Sequence, residues 1–368
     1  AVTSHQRDLA ALPAIAELAP ATTLAQIADQ PSAGPSGPAA QLVGSLEAVG
    51  DLSNRLAMAM DFTSLFDPVR KLFSIGYRVT DGALDPSYYD LLASEARLTS
   101  FVAIAKGDVP AEHWFRLGRS LTPVGRGSAL VSWSGSMFEY LMPNLVMRSP
   151  AGSLLARTAR LIVARQVRYT AELGIPWGIS ESGYSVRNLD QIYQYSGFGI
   201  PGLGLKRGLG DDIVIAPYAS GLAAMVQPNA AIRNLERLQE LGALARYGFR
   251  EALDFTARRV PDNQPFVLVK SYMAHHQGML LVAIGNVLNN FAMVERFHAE
   301  PMVEATELVL HERMPRNALV ARPLSQEITS EADVRDTVPP ILRTFSSPND
   351  SIPRSHLLSN GRYSVMVS

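Results

Sequence analysis

One carboxylate in this chain sits in a setting suited to sugar chemistry. Residues 176–184 read Pro-Trp-Gly-Ile-Ser-Glu-Ser-Gly-Tyr, with Glu181 between two serines, Trp177 four residues before it and Tyr184 three after. Gly178 and Gly183 admit backbone angles that other residues resist. Cleavage of a glycosidic bond needs a proton donor beside a flat surface for a pyranose ring, and this loop offers both. A surface turn with a solvated Glu has the same local pattern, so the loop alone leaves both readings open.

Glu95 is the second candidate. Asp85-Pro86 has the form of a helix start, with Asp85 as cap and Pro86 in the first turn. The spacing predicts a helix over 85–106, stopped at Gly107, with an apolar stripe of Tyr88, Leu91, Leu92, Leu98 and Val102. Glu95 falls inside that stripe, where a carboxylate costs free energy unless it is paired or functional. It is either the partner of a core arginine such as Arg119 or a second catalytic acid. His275-His276-Gln277 forms the other polar cluster. Adjacent helical residues point about 100° apart, so the two histidines rarely share a metal. They suit hydrogen bonds to sugar hydroxyls or the orientation of a carboxylate; a buried histidine beside an exposed one fits equally well. Gly202-x-Gly204 lacks the βαβ frame of a dinucleotide site, and no phosphate loop or nucleophile elbow is present.

Composition narrows the classes. Of 368 residues, 47% are apolar and 18% charged, as in ordinary globular proteins. The 33 basic and 34 acidic residues leave a net charge of −1, which argues against a nucleic-acid partner and against disorder. The chain has no cysteine, which excludes disulfides, thiol nucleophiles and thiolate metal sites. No metal and no cofactor are expected. The start, Ala-Val-Thr-Ser-His-Gln-Arg, has no apolar secretory core. The longest apolar run, Met279–Ile284, is too short for a bilayer. The opening without Met and the end at Val365-Met366-Val367-Ser368 are those expected of a piece of a longer chain.

Helices must position these residues. Residues 1–60 read as a helical extension packing on the main domain, broken by Pro-Ser-Ala-Gly-Pro-Ser-Gly-Pro at 31–38. Further helices open at Pro110, Ser149-Pro150, Pro217 and Pro228, near Ser271 and Asn290, and at Pro301. Strand signals are few, with Phe266–Lys270 the best of them. Helical hairpins without a fixed-period repeat suit a closed double ring rather than a solenoid. The expected fold is all-α, an (α/α)6 barrel over residues 61–315 with long irregular loops over its cleft. Residues 193–212 read as one such loop, carrying Tyr193, Tyr195 and Phe198 and leaving Lys206 and Arg207 available to polar ligand groups. Residues 316–368 read as a linker followed by the first strand of a further domain, at 361–367.

Five segments then carry a resemblance: Ser87–Leu98, Ser132–Pro143, Trp177–Tyr184, Gly202–Gly208 and Ser271–Met279. Their sequences, in this order, resemble the glycoamylase-like domain of cyclic β-1,2-glucan synthases, and His356–Tyr363 resembles the entry to the phosphorylase-like domain that follows in those proteins. The resemblance implies an (α/α)6 barrel related to endo-β-1,2-glucanases. It implies that linear β-1,2-glucan from a glycosyltransferase domain of the same parent chain is cleaved with retention and rejoined as a ring. It also implies a place on the cytoplasmic face of a bacterial inner membrane. Glu181 matches the family's general acid/base and Glu95 its nucleophile. Trp133, Trp177, Tyr193, Tyr195 and Tyr272 are candidates for stacking on glucose, with Tyr140 and Tyr184 as further substrate contacts. Glu139, Arg207, His275, His276 and Gln277 are candidates for hydroxyl contacts. The competing readings are an inverting endo-β-1,2-glucanase and a non-catalytic β-1,2-glucan-binding module.

Overall fold

Proline, serine and glycine set the limits of the helices. In the computed structural model, Pro38, Pro217, Pro228 and Pro301 each stand in a first helical turn, where a missing N–H is harmless. Ser153 Oγ accepts the Ala156 N–H and caps the Leu154–Glu172 helix. Gly107, Gly174 and Gly242 follow helix ends with φ of 80°, 71° and 81°, the left-handed geometry that glycine adopts without strain. The structure describes residues 37–314 continuously, with Gln6, Ala19, residues 22–29, Val320, Ala321, Pro323, 356–359 and 363–367.

The Pro217–Ala224 helix is buried at every residue, as befits a helix apolar on all sides. It packs on Ala274–Leu288 and Pro228–Glu240. Gly221 permits the closest approach, since a Cβ there would lie 2.3 Å from Leu280 Cδ1. The Leu154–Glu172 helix turns one stripe inward, including Leu155, Ala159, Ile162, Val163 and Gln166. The Pro38–Ala59 helix differs, exposing Leu46, Val49, Leu52 and Leu56. Among the described residues no single helix is long and apolar enough to cross a membrane.

The fold is not all-α. Short antiparallel sheets carry much of the chain between helices, including a three-stranded sheet of 214–215, 252–254 and 267–269. The strand expected at 266–270 is its Val267–Val269 edge. The expected loop at 193–212 begins as a strand, Tyr193–Ser196, paired with Ser182–Arg187. Alternating aromatic and polar residues there suit a pleat with one face covered. The helix expected over 85–106 forms only over Arg97–Lys106. Asp85 does cap, but it caps a turn: its Oδ1 accepts the Ser87 N–H at 2.8 Å. Tyr88–Tyr89 then pairs with Phe73 and Ser74, a ladder that outweighs local helical spacing.

Residues 328–368 form a separate unit. There the strand expected at 361–367 is Ser364–Val367, paired antiparallel with His356–Ser359. Most of the expected linker, and residues 1–21 apart from Gln6 and Ala19, lie outside the described residues.

Candidate active site

Glu181 sits where a short bridge becomes a strand. Ile179 pairs with Ile215, Gln166 clamps it by donating to its carbonyl and accepting its N–H, and the Ser182–Arg187 strand begins next. Gly178 has φ of 122°, and a Cβ there would lie 3.1 Å from Ala216 O. That position needs glycine. Tyr218 donates to the Glu181 carbonyl at 2.9 Å. Its oxygen therefore accepts from Ser180 at 2.8 Å. The backbone that carries the acid is thus pinned on both sides.

Glu95 lies on the turn before the Arg97–Lys106 helix, not on a helical stripe. The core arginine beside it is Arg97, not Arg119, and it holds the turn through neutral oxygens. Its guanidinium donates to Ser94 O, Glu139 O, Tyr140 O and Asn144 Oδ1 at 3.1, 2.8, 2.6 and 3.2 Å. Burial brings Arg97 down to about 10, so it stays charged at neutral pH.

Ser132-Trp133-Ser134-Gly135-Ser136 shows how alternation builds one wall. The three serine hydroxyls all donate to Glu139 Oε2, at 2.9, 2.6 and 3.0 Å. Glu139 also closes a capping box with Ser136. With the serines turned inward, Trp133 is left 61% exposed. The glycine-rich segment 197–204 backs this wall, and Gly199 is obligatory because a Cβ would lie 1.7 Å from Ser134 O.

Glu95, Glu139, Glu181, Trp133, Tyr88 and Tyr89 line one cleft of about 720 Å³, together with Lys206. Burial raises Glu181 above the ordinary carboxylate range; a hydrogen bond from Tyr195 opposes the rise, and the Glu95 and Glu139 charges add to it. Burial likewise raises Glu95, with Glu139 contributing. Two acids of raised proton affinity facing an exposed indole are equipped for proton donation and for attack on an anomeric carbon.

The other expected residues divide. Tyr195 and the histidines join Glu181: Tyr195 donates to Glu181 Oε1 at 2.8 Å and lies 3.2 Å from His276 Nε2 and 3.4 Å from His275 Nε2. Trp177 and Tyr140 are core residues, 6% and 3% exposed. Trp177 is held through its backbone by Asn234, and the Tyr140 hydroxyl serves backbone groups of Leu130, Ser132 and Leu203. Tyr184 packs edge-on against Phe198 at 5.5 Å. Tyr193 lines a separate hollow with Arg187 and Lys270, and Arg207 another with Asp211, Asp212 and Arg258. Tyr272 meets Tyr247 edge-on. Gln277 donates to Phe249 O at 2.8 Å. Sequence reasoning passed over Tyr88, Tyr89, Glu251 and Tyr218. Tyr88 and Tyr89 were absorbed into the false helix, and Glu251 follows Arg250 as an ordinary charged pair. Among the described residues no three His, Asp or Glu side chains could hold a metal ion together.

Comparison with known proteins bears on this arrangement. The cyclic β-(1,2)-glucan synthase NdvB of Rhizobium meliloti is 51% identical over 313 residues, which are 85% of this chain and 11% of that protein. The chain therefore spans about a tenth of the length of this curated relative. An endo-β-1,2-glucanase from Chitinophaga pinensis, solved with sophorotriose and glucose, matches with a TM-score of 0.56 at 15% identity, over 72% of this chain and 65% of that one. A β-1,2-glucanase from Parabacteroides distasonis matches with a TM-score of 0.50 at 15% identity, over 70% of this chain and 40% of that one. At such identities the likeness is one of fold, a helical barrel. The glycoamylase family model matches residues 87–301, which include the three carboxylates and the exposed indole of the cleft. The chain belongs to the glycoamylase family of glycoside-hydrolase-like enzymes.

Proposed function

We propose that this domain is a β-1,2-glucan transglycosylase that cleaves a linear chain with retention and rejoins it to itself as a ring. The observation that carries the reading is that Glu95 and Glu181 line one cleft, both with raised proton affinity, beside the exposed face of Trp133. The 51% identity to a cyclic β-(1,2)-glucan synthase supports the substrate.

In the first step Glu181 gives its proton to the glycosidic oxygen as that oxygen leaves the anomeric carbon. The Glu95 carboxylate attacks that carbon and bonds to it; in the relay alternative Glu95 instead takes the proton of a substrate hydroxyl, whose oxygen forms the bond to the carbon. In the second step the 2-hydroxyl at the non-reducing end of the same chain attacks the anomeric carbon. Its proton passes to Glu181, and the bond to Glu95 breaks; in the relay alternative the bond to the substrate's own oxygen breaks and that oxygen takes its proton back from Glu95. One glycosidic bond is lost and one formed. Ring closure outruns hydrolysis because a tethered hydroxyl reaches a high effective concentration. Trp133 and Tyr89 offer faces to glucose rings, and Lys206 offers a donor to hydroxyls.

The helical barrel is proposed to be an (α/α)6 ring over 61–315, with 1–60 as an N-terminal extension and 316–368 leading to a further domain. The partners are then glycosyltransferase and phosphorylase-like domains of the same parent chain, with this domain on the cytoplasmic face of the inner membrane. An inverting endo-β-1,2-glucanase is the second reading, favoured by the fold match at a TM-score of 0.56. Retention expects carboxyl groups ~5–5.5 Å apart in the working complex, and inversion ~6.5–9.5 Å.

Mass spectrometry of products from linear β-1,2-glucan decides between them. Rings, each lighter by one water than the linear glucan of equal length, support the transglycosylase. Shorter linear chains alone would establish the hydrolase. Unchanged glucan that nevertheless binds would point to the binding module.

The reading also fixes a pH profile. Activity needs Glu95 ionised and Glu181 protonated. Activity therefore rises as Glu95 loses its proton and falls as Glu181 loses its own. Both groups are raised, so both limbs of the bell lie above the ordinary carboxylate range of about 4. The two acids repel one another, and the limbs report the pair. An optimum in the ordinary carboxylate range would contradict the assignment.

A further inference from the structure

Behind Glu181 lies a buried polar chain that the proposed reaction does not use. Glu251 is 2% exposed and accepts the Gly183 N–H at 2.9 Å. His276 is 1% exposed, and its Nδ1 lies 2.9 and 3.0 Å from the two Glu251 carboxylate oxygens. Its ring is stacked on Tyr218 at 3.8 Å with an interplanar angle of 13°, so it is held in place. A carboxylate only accepts, so the imidazole with a single proton carries it on Nδ1 and leaves a lone pair on Nε2. That lone pair is 3.2 Å from the Tyr195 hydroxyl, and Glu181 Oε1 is 2.8 Å from the same oxygen. One hydroxyl proton thus faces these two acceptors, with His275 Nε2 farther off at 3.4 Å. Burial, reinforced by Glu181, raises the Tyr195 phenol far above its ordinary value, so it remains a donor wherever the enzyme works.

We infer that Tyr195 is a two-position hydrogen-bond switch for Glu181: it donates to Glu181 Oε1 when that carboxylate is ionised and turns to His276 Nε2 when Glu181 is protonated, with Glu251 fixing the histidine tautomer. The inference rests on the reading of Glu181 as proton donor. No covalent bond changes at Tyr195, which is a positioning residue. Before the reaction its hydroxyl rests on His276. As the proton leaves Glu181 for the glycosidic oxygen, the hydroxyl swings to the new carboxylate. The bond to Glu181 is therefore stronger in the transition state than in the ground state, which is the condition for raising rate. In the second step the movement reverses as Glu181 regains a proton. Glu181 is also faced by the Glu95 and Glu139 carboxylates, and Tyr195 by His275. These neighbours are unchanged by removal of the phenol hydroxyl.

Tyr195→Phe removes the hydroxyl and keeps the ring, at a side chain 40% exposed. Ionisation of Glu181 is followed without substrate, by difference infrared titration of the whole chain against Glu181→Gln. In Tyr195→Phe it should rise by about one pH unit. The basic limb for linear β-1,2-glucan should rise with it, and kcat should fall about 10-fold with KM nearly unchanged. An unmoved titration, or a loss confined to KM as for a plain sugar contact, overturns the switch. Nitrogen-15 spectra of His276 should show the ring proton on Nδ1 and an accepting Nε2; a proton on Nε2 would also overturn it. Loss of activity in Glu181→Gln with an unmoved titration in Tyr195→Phe removes the switch alone. Full activity in Glu181→Gln removes the donor assignment and the switch with it.

Discussion

Glu181→Gln is expected to lower turnover of linear β-1,2-glucan by about 10³-fold, a typical share for a positioned general acid. The amide keeps the shape and still accepts the Tyr195 hydroxyl, but it has no proton to give. Such a loss means something only if the protein stays folded, and the site predicts that it does better than that. Burial raises Glu181 in the folded state, so its ionised form is disfavoured there. The stability associated with such a group is full below its unfolded value and is lost as pH rises through the folded one. Glutamine never ionises. Glu181→Gln should therefore melt higher than the wild type at neutral pH, by ~1–2 °C for a gain of about 1 kcal/mol. An inactive variant of unchanged or higher melting temperature is the expected pair of results in product analysis and calorimetry. A variant that is inactive because it melts early would not support the acid role.

Arg97→Met is expected to destabilise the fold by about 3–5 kcal/mol, because four inward-facing oxygens lose a charged donor. The guanidinium is 2% exposed and joins the Ser94–Glu95 turn to the Glu139–Asn144 segment. Lysine does not repair this, since a single ammonium cannot span acceptors arranged for a planar fork. Urea denaturation should show both variants unfolding at lower midpoints, Arg97→Met most. Glu95 lies two residues away on the same turn, so activity should also fall at temperatures where the variants remain folded. A midpoint close to that of the wild type would mean that backbone and water replace the arginine, and that the turn is held by other contacts.

The sequence itself determined several of the helix limits, because capping and breaking are local chemistry. Pro217, Pro228, Pro301 and Gly242 act where they stand. Glu181 and Glu95 were legible for a related reason: an acid among glycines and aromatics, or inside an apolar stripe, is out of place locally. The argument for Glu95 nevertheless led to the cleft it shares with Glu181 through the wrong element, a helix that tertiary pairing of Tyr88–Tyr89 with Phe73 and Ser74 replaces by strand and turn. Burial of Trp177 and Tyr140 was not legible, since an aromatic side chain that stacks on a sugar and one that fills a core look alike in one dimension. Nor was the backing of Glu181 by Tyr195, His276 and Glu251, whose members lie 14, 25 and 81 residues apart along the chain. Hydrogen bonds across such separations exist only once the barrel closes, and burial, which sets the proton affinity of both acids, is a property of that closure and of no segment alone.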